Sequence, residues 1–515
     1  MANEDLSFLP PGVSRESFAA ALKEWRAIVG DEYVTADVER LAPYSKVMLP
    51  EPAERHRPAG AVAPASSEEV QAVMKVADKY RIPVWMISTG KNLGYGDAAP
   101  ATAGQVVLDL KRMNRIIEVD ETLCYALVEP GVTYMQLKQY LEENNIPLWI
   151  SFPSSGPVAG PMGNTLDRGV GYNRYGQHFE NFCGLEVVLA DGSVLRTGMG
   201  GVENSREWNV YRWGYGPWVD GLFSQSNFGV VTKMGIWLMP KPAVSRGFLC
   251  GWNDDDSMAK GMDVVRGLNL NKVIENGVLG HTMYYIAQTY RRSEIYTGPG
   301  AIPRDRVKQI CNDIGLGIWG HISTLYGTEE QVEVNLKIAR EAFATTGGQF
   351  AVQGDPGIEK TPFHHWNLNM TNEPTLTEFT IYNYKGGGGS SWLAPVVRCE
   401  GSEVLRQFNL MHGVLDEFGF DYIGGFLIGG RHAEQLTDIL YDRNDAEEMD
   451  RAYRCYVKMV EELHKAGYSI YRTSTAFMNH LAETYGPAQR AFNQKLKRAL
   501  DPNGVIAPGK SGINI

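Results

Sequence analysis

Six cysteines are scattered through the 515 residues (Cys124, Cys183, Cys250, Cys311, Cys399 and Cys455), with no CxxC, no CxxCH and no cysteine–histidine cluster. That spacing excludes a zinc ribbon and an in-chain c-type haem, and predicts buried free thiols. The adjacent His364 and His365 read as a solvated or capping pair rather than metal ligands. Positive charge is also short: 49 Lys and Arg stand against 60 Asp and Glu, a net charge of −11. Such a chain is a poor ligand for nucleic acid or an anionic membrane and is compatible with a cationic partner protein. No apolar run reaches membrane-spanning length, and Met1 to Pro11 lacks a basic segment followed by an apolar core. The sequence therefore predicts no membrane insertion and a chain that starts in the cytoplasm. Internal repeats and low-complexity linkers are absent too, so 515 residues predict two or three domains sharing a broad interface.

Two nucleotide-binding patterns fail on context. Gly315 to Gly320 fits GxGxxG but follows a predicted helix ending near Asp313, the reverse of the strand–loop–helix order that a dinucleotide fingerprint needs. Gly504 to Ser511 fits GxxxxGKS, yet only four residues follow Ser511, too few for the helix that a phosphate loop opens.

What is present centres on Trp85 to Pro100, an apolar strand running into a loop with Gly90, Gly94 and Gly96. Missing Cβ atoms let backbone N–H groups converge on an anion, and Ser88, Thr89 and Asn92 add side-chain donors. Tyr95, between two glycines, is unexplained by a phosphate cradle alone. Upstream, residues 15 to 30 read as an amphipathic helix, and Ser66 with Glu69 starts another that carries Val70, Val73, Met74 and Val76. Strands are predicted at Val106–Leu110 and Tyr125–Glu129, a helix from Thr133 to Asn144, and a hairpin turning at Asp191-Gly192. Ser151 to Gly171, with Gly163, Asn164 and Thr165, reads as a second loop able to lie against a cofactor. After Pro242 longer helices alternate with strands, the texture of a second, α+β domain reaching to about Ser469. Further on, Tyr382 before four glycines reads as the end of a strand at a turn, with Tyr384 on the same face.

The glycine loop, the segment Gly163 to Gly169 and the ending Asp501 to Ile513 together resemble the vanillyl-alcohol oxidase family of flavoproteins, and within it the group that hydroxylates 4-alkylphenols. The resemblance spans nearly the whole chain. It implies an α+β, two-domain fold: an FAD-binding domain from residues 1–241 plus 471–515, and a cap over the flavin from residues 242–470. It assigns Ser88, Thr89, Gly90, Lys91, Asn92, Leu93, Gly94 and Tyr95, with Gly163, Asn164 and Thr165, to FAD. Tyr382 takes the position of an 8α-O-tyrosyl attachment, with Tyr384 the rival; the family's oxidases use a histidine that would fall near Ser390. Tyr95, Tyr471 and Arg472 match a trio around a phenolic oxygen. Asp438, preferred, and Glu378 match acids that would activate water, and Lys510 matches a cation near the flavin. Gly425 and Glu434 depart from the family pattern, implying room for a substituent larger than methyl. A c-type cytochrome subunit as electron acceptor, a homodimer of flavoprotein chains and a periplasmic setting follow by analogy; oxygen as acceptor is the alternative.

Overall fold

The computed structural model describes residues 6–515, built on sheets of four, five and eight strands and one two-stranded ribbon. The first sheet orders Val34–Thr35, Gly60–Val62, Val106–Asp109 and Val84–Ile87, the last three parallel. Parallel neighbours need a crossover, and the helix Ser67–Tyr80 leads from Gly60–Val62 to Val84–Ile87. Its start follows the sequence signal: Ser66 Oγ accepts the Glu69 N–H at 3.2 Å, and Glu69 Oε2 accepts the Ala65 N–H at 2.7 Å. The face Val70, Val73 and Met74 packs with Phe18, Leu22 and Trp25 of the helix Arg15–Val29.

The C-terminal segment returns to this sheet. Val84 donates to Val505 O at 2.8 Å and Ala507 donates back to Val84 O at 2.7 Å. A fully buried ion pair, Lys497 with Asp501 at 2.6 Å, fastens the segment. Lys497 also donates to the carbonyls of Asn227 and Ile506, while Asp501 accepts the N–H groups of Val505 and Ile506. Because each partner is fully hydrogen-bonded, the charges avoid the penalty of an unpaired buried ion.

The five-stranded sheet is antiparallel and includes Phe182–Val188 and Val194–Arg196, joined at Asp191-Gly192. Gly192 has φ +79°, which explains glycine at that turn. All six cysteines are free. Among the described residues no helix is long and apolar enough to cross a membrane. Gly315 to Gly320 connects the helix Arg304–Asp313 to the strand Trp319–Gly327, the order that argued against a dinucleotide fingerprint.

Beyond Pro242 lies the eight-stranded sheet, antiparallel throughout. Its spatial order is Gln349–Val352, Val244–Trp252, Trp319–Gly327, Val278–His281, Ile423–Ile428, His432–Tyr441, Gly389–Arg398 and Ser469–Arg472. Strand alternation sends Leu279 and Phe426 to one face, into a core with Met258, Phe343, Phe408 and Met459 from four helices. It sends Val278 and Leu427 to the other, where they meet Tyr284, Trp366 and Ile381. The edge strand Ser469–Arg472 crosses the boundary expected at 470/471, so Tyr471 and Arg472 ride on the large sheet through the pair Ala394↔Arg472.

Candidate active site

A long cavity lies between the glycine-rich wall of the N-terminal half and the open face of the eight-stranded sheet. Fifteen of the residues singled out in the sequence line it: Ser88, Thr89, Gly90, Lys91, Asn92, Leu93, Tyr95, Gly163, Asn164, Glu378, Tyr382, Gly425, Tyr471, Arg472 and Lys510. Gly94, Thr165, Glu434 and Asp438 do not, and each has a physical reason.

Gly94 serves packing. A Cβ there would meet Trp392 Cδ1 at 2.4 Å and Ser390 Oγ at 2.8 Å, while one on Gly96 would meet Thr475 Oγ1 at 2.4 Å. These glycines therefore let the loop press against the large sheet, and Trp392 donates to Gly94 O and Thr475 to Tyr95 O. The segment read as a second loop forms a short helix, Pro161–Leu166, which turns Thr165 inward to burial. Gly163 brings that helix onto the first wall, where a Cβ would meet Ser88 Oγ at 2.2 Å. Asn164 Oδ1 is held by His178 Nδ1 at 2.6 Å, and burial lowers the His178 imidazole to about 3, which keeps it neutral.

Arg472 and Tyr95 meet although 377 positions separate them. The guanidinium lies over the Tyr95 ring, and its Nη2 donates to Asn92 Oδ1. Burial pushes the Tyr95 phenol up to about 12 against the opposing pull of Arg472. Burial likewise holds Tyr471 well above the ordinary tyrosine value, with Glu434 adding to the shift. Both phenols thus stay protonated near neutral pH, as two O–H donors beside a permanent cation. That combination favours an oxyanion over a neutral hydroxyl.

Tyr382 lies in a 3₁₀ turn, Thr377–Asn383, and not at the end of a strand. The tighter turn separates it from Tyr384, whose hydroxyl donates to Asp421 Oδ2 at 2.9 Å in a buried network with Arg292. Tyr382 instead faces the cavity beside Trp392, and burial raises its phenol well above the usual value.

The two carboxylates differ sharply. Asp438 is fully buried, with Ser390 Oγ at 2.7 and 2.9 Å and the Ser391 N–H at 2.9 Å, and burial pushes it well above the carboxylate range. Its oxygens are already held and it does not reach the cavity wall, unlike Glu378. Glu378 lines the cavity; Tyr284 donates to its Oε1, and its Oε2 has no hydrogen-bond partner. Glu434 is buried off the wall, with Oε1 held by Gln177 and His432. Of the two histidines read as a solvated or capping pair, His365 is buried beside Glu378, whereas His364 is exposed and pairs with Glu359.

Several wall residues carried little or no sequence signal. Asp167, inside the quoted Gly160–Gly169 segment, pairs with Lys510 at 2.7 Å; burial opposes its charge, but Lys510 and Arg472 hold it below the usual range. Asp97 is raised to about 6 by burial. Trp392, Tyr284 and Tyr172 complete the aromatic lining.

The donor set suits a long ligand with an anionic middle and flat ends. Backbone and hydroxyl groups from Ser88 to Asn92 form one stretch, flanked by Trp85, Leu110, Phe223 and Val231. Comparisons with known proteins agree. A family described as FAD binding domain matches residues 58–198, and one described as FAD linked oxidases, C-terminal domain, matches 397–511. The 4-cresol dehydrogenase [hydroxylating] flavoprotein subunit of Pseudomonas putida is 44% identical, over 100% of this chain and 99% of its own. A crystal structure of p-cresol methylhydroxylase with substrate bound superposes with TM-score 0.97 at 44% identity, covering 98% of this chain and 99% of that one. The 4-ethylphenol oxidase of Gulosibacter chungangensis, in an isoeugenol complex, gives TM-score 0.94 at 33% identity over 98% and 99%. Similarity of this extent, on a cavity with this donor set, places the chain in the vanillyl-alcohol oxidase and p-cresol methylhydroxylase family of FAD-dependent oxidoreductases.

Proposed function

We propose that the protein hydroxylates the benzylic carbon of 4-alkylphenols. The observation that carries this reading is the convergence of Tyr95, Tyr471 and Arg472 on the cavity that also holds Tyr382 and Glu378. Two protonated phenols and a guanidinium bind the substrate oxygen as phenolate, and electron release from that oxygen activates the para-benzylic C–H bond. Bound FAD, held by residues of the cavity wall, would supply the two-electron oxidant for the benzylic hydride. Water then adds to the benzylic carbon of the resulting quinone methide, with Glu378 taking its proton. Tyr382 is the attachment point for the flavin through its phenolic oxygen, and Lys510, balanced by Asp167, places positive charge at the flavin-side wall.

The partners follow from the same reading. Electrons leave to a separate c-type cytochrome, as the word subunit in the Pseudomonas relative's name suggests, and the flavoprotein chains pair as a homodimer. The similarity to a 4-ethylphenol oxidase favours one alternative, oxygen as acceptor. Anaerobic mixing with p-cresol, 4-ethylphenol or eugenol should bleach the flavin, and product formed in H₂¹⁸O should carry the label. No bleaching by any of the three defeats the reading. Fast reoxidation by oxygen alone would remove the need for a cytochrome.

A further inference from the structure

We propose that His365 carries the proton of the attacking water from Glu378 out of the cavity, through Thr375. The inference rests on the hydroxylation reading above. In that reaction the substrate gives up its phenolic proton on binding, bound FAD would accept the benzylic hydride, and the water whose oxygen bonds to the benzylic carbon leaves a further proton at each turnover. It must leave a buried site.

Glu378 is 5% exposed, and its Oε2 is a buried oxygen with no hydrogen-bond donor. An unpaired buried carboxylate oxygen is costly, so its surroundings need an explanation. His365 Nε2 faces it at 3.8 Å. On the far side of the imidazole, Nδ1 contacts Thr375 Oγ1 at 2.7 Å. The Asn369 amide nitrogen, a donor, lies 3.4 Å from Nε2. The ring nitrogens therefore face opposite ways, Nε2 toward Glu378 and Asn369 and Nδ1 toward Thr375. An imidazole so placed can take a proton on one nitrogen and release one from the other, the arrangement a relay requires.

The step balances. Glu378 takes the proton as the water O–H breaks and the C–O bond forms. Oε2 then passes a proton to His365 Nε2, Nδ1 releases one to Thr375 Oγ1, and the Thr375 hydroxyl gives up its own proton to bulk water, the residue being half-buried beside the exposed Leu376. The fully bonded Asp438 offers no comparable exit.

The test follows single turnovers of the FAD-loaded enzyme with 4-ethylphenol, anaerobically, with a pH-indicator dye and the flavin absorbance recorded together. In wild type, after the proton lost as the phenol binds, a second proton should be released at the pace of product formation. His365→Gln keeps a side chain that can bond Thr375 but cannot relay. Thr375→Val cuts the outer link and covers the case in which the buried histidine is needed for folding. Both should bleach the flavin at the wild-type rate and release the proton about tenfold more slowly or worse, within the range of a lost proton-transfer group. Wild-type proton release in both variants would overturn the relay. A wild type whose flavin no alkylphenol bleaches would instead overturn the reading on which it rests.

Discussion

The guanidinium carbon of Arg472 sits 4.1 Å from the centroid of the Tyr95 ring, while Arg472 Nη2 donates to Asn92 Oδ1 at 2.6 Å. The cation is thus oriented by two residues of the glycine loop. Arg472→Lys keeps the charge but loses the planar fork. Tyr95→Phe keeps the ring under the guanidinium but removes the O–H. Each should retain FAD and bind a 4-alkylphenol about 10- to 100-fold more weakly, the scale of a lost charge-assisted hydrogen bond. Spectral titration of the flavin measures this, and unchanged affinity in both would separate the trio from the phenol.

Tyr382 and Tyr384 make separable predictions. Acid-denatured wild type should keep its yellow colour on the polypeptide, Tyr382→Phe should lose it, and Tyr384→Phe should keep it. The last variant strips a donor from the buried Asp421 and should instead lower stability by about 1–3 kcal/mol, read by denaturant unfolding.

Two cavity glycines that pair across neighbouring strands, Gly425 and Gly280, differ in what surrounds them. A Cβ on Gly425 would meet Leu279 O at 2.5 Å, so the absent side chain there is taken up by close strand approach. A Cβ on Gly280 would have nothing within 4 Å. Room for a long para substituent therefore lies at Gly280. Gly280→Val should lower kcat/KM for 4-propylphenol relative to p-cresol by about tenfold or more, the scale of methylene-sized discrimination. Gly425→Ala should mainly cost stability, about 1–3 kcal/mol by overpacking. A wild type that strongly prefers p-cresol would defeat the expectation of a long substituent.

Asp97 gives a pH prediction. Burial raises its carboxyl from 3.8 to about 6, with the Met48 N–H, Arg443 and Lys91 opposing. A folded-state value above the unfolded one means stability fully present below about pH 4 and lost as pH rises through about 6. Asp97→Asn should flatten that loss in the FAD-free protein, seen as a smaller fall in Tm between pH 4 and 7.

Much of this was legible in the chain, for reasons that differ by residue. Ser66 and Glu69, Asp191-Gly192 and the apolar face of Ser67–Tyr80 act locally, so spacing alone reports them. Tyr95 stands out as a phenol between two glycines, but its role and those of Tyr471, Arg472 and Lys510 were implied only by resemblance, because their meeting depends on strand pairing across the whole sequence. Three features escaped. Tyr382 sits in a 3₁₀ turn whose period a strand-like sequence does not display. Gly94 looked like a phosphate contact but answers to Trp392, a neighbour distant in sequence. Asp438 and Glu378 could be told apart only once the hydrogen bonds that hold the first and spare one oxygen of the second were in view.

The loop that carries Ser88 to Asn92 along the cavity wall also carries Tyr95, and Trp392 of the large sheet and Thr475, just beyond its edge strand, donate to its carbonyls. On the proposed function, occupancy of the two ends should be energetically linked. Flavin that orders this loop also prepays the ordering of the phenol site, and linkage makes the favour mutual. An alkylphenol too inert to react should raise the affinity of the flavin-free Tyr382→Phe protein for FAD by the same factor as FAD raises its affinity for the phenol.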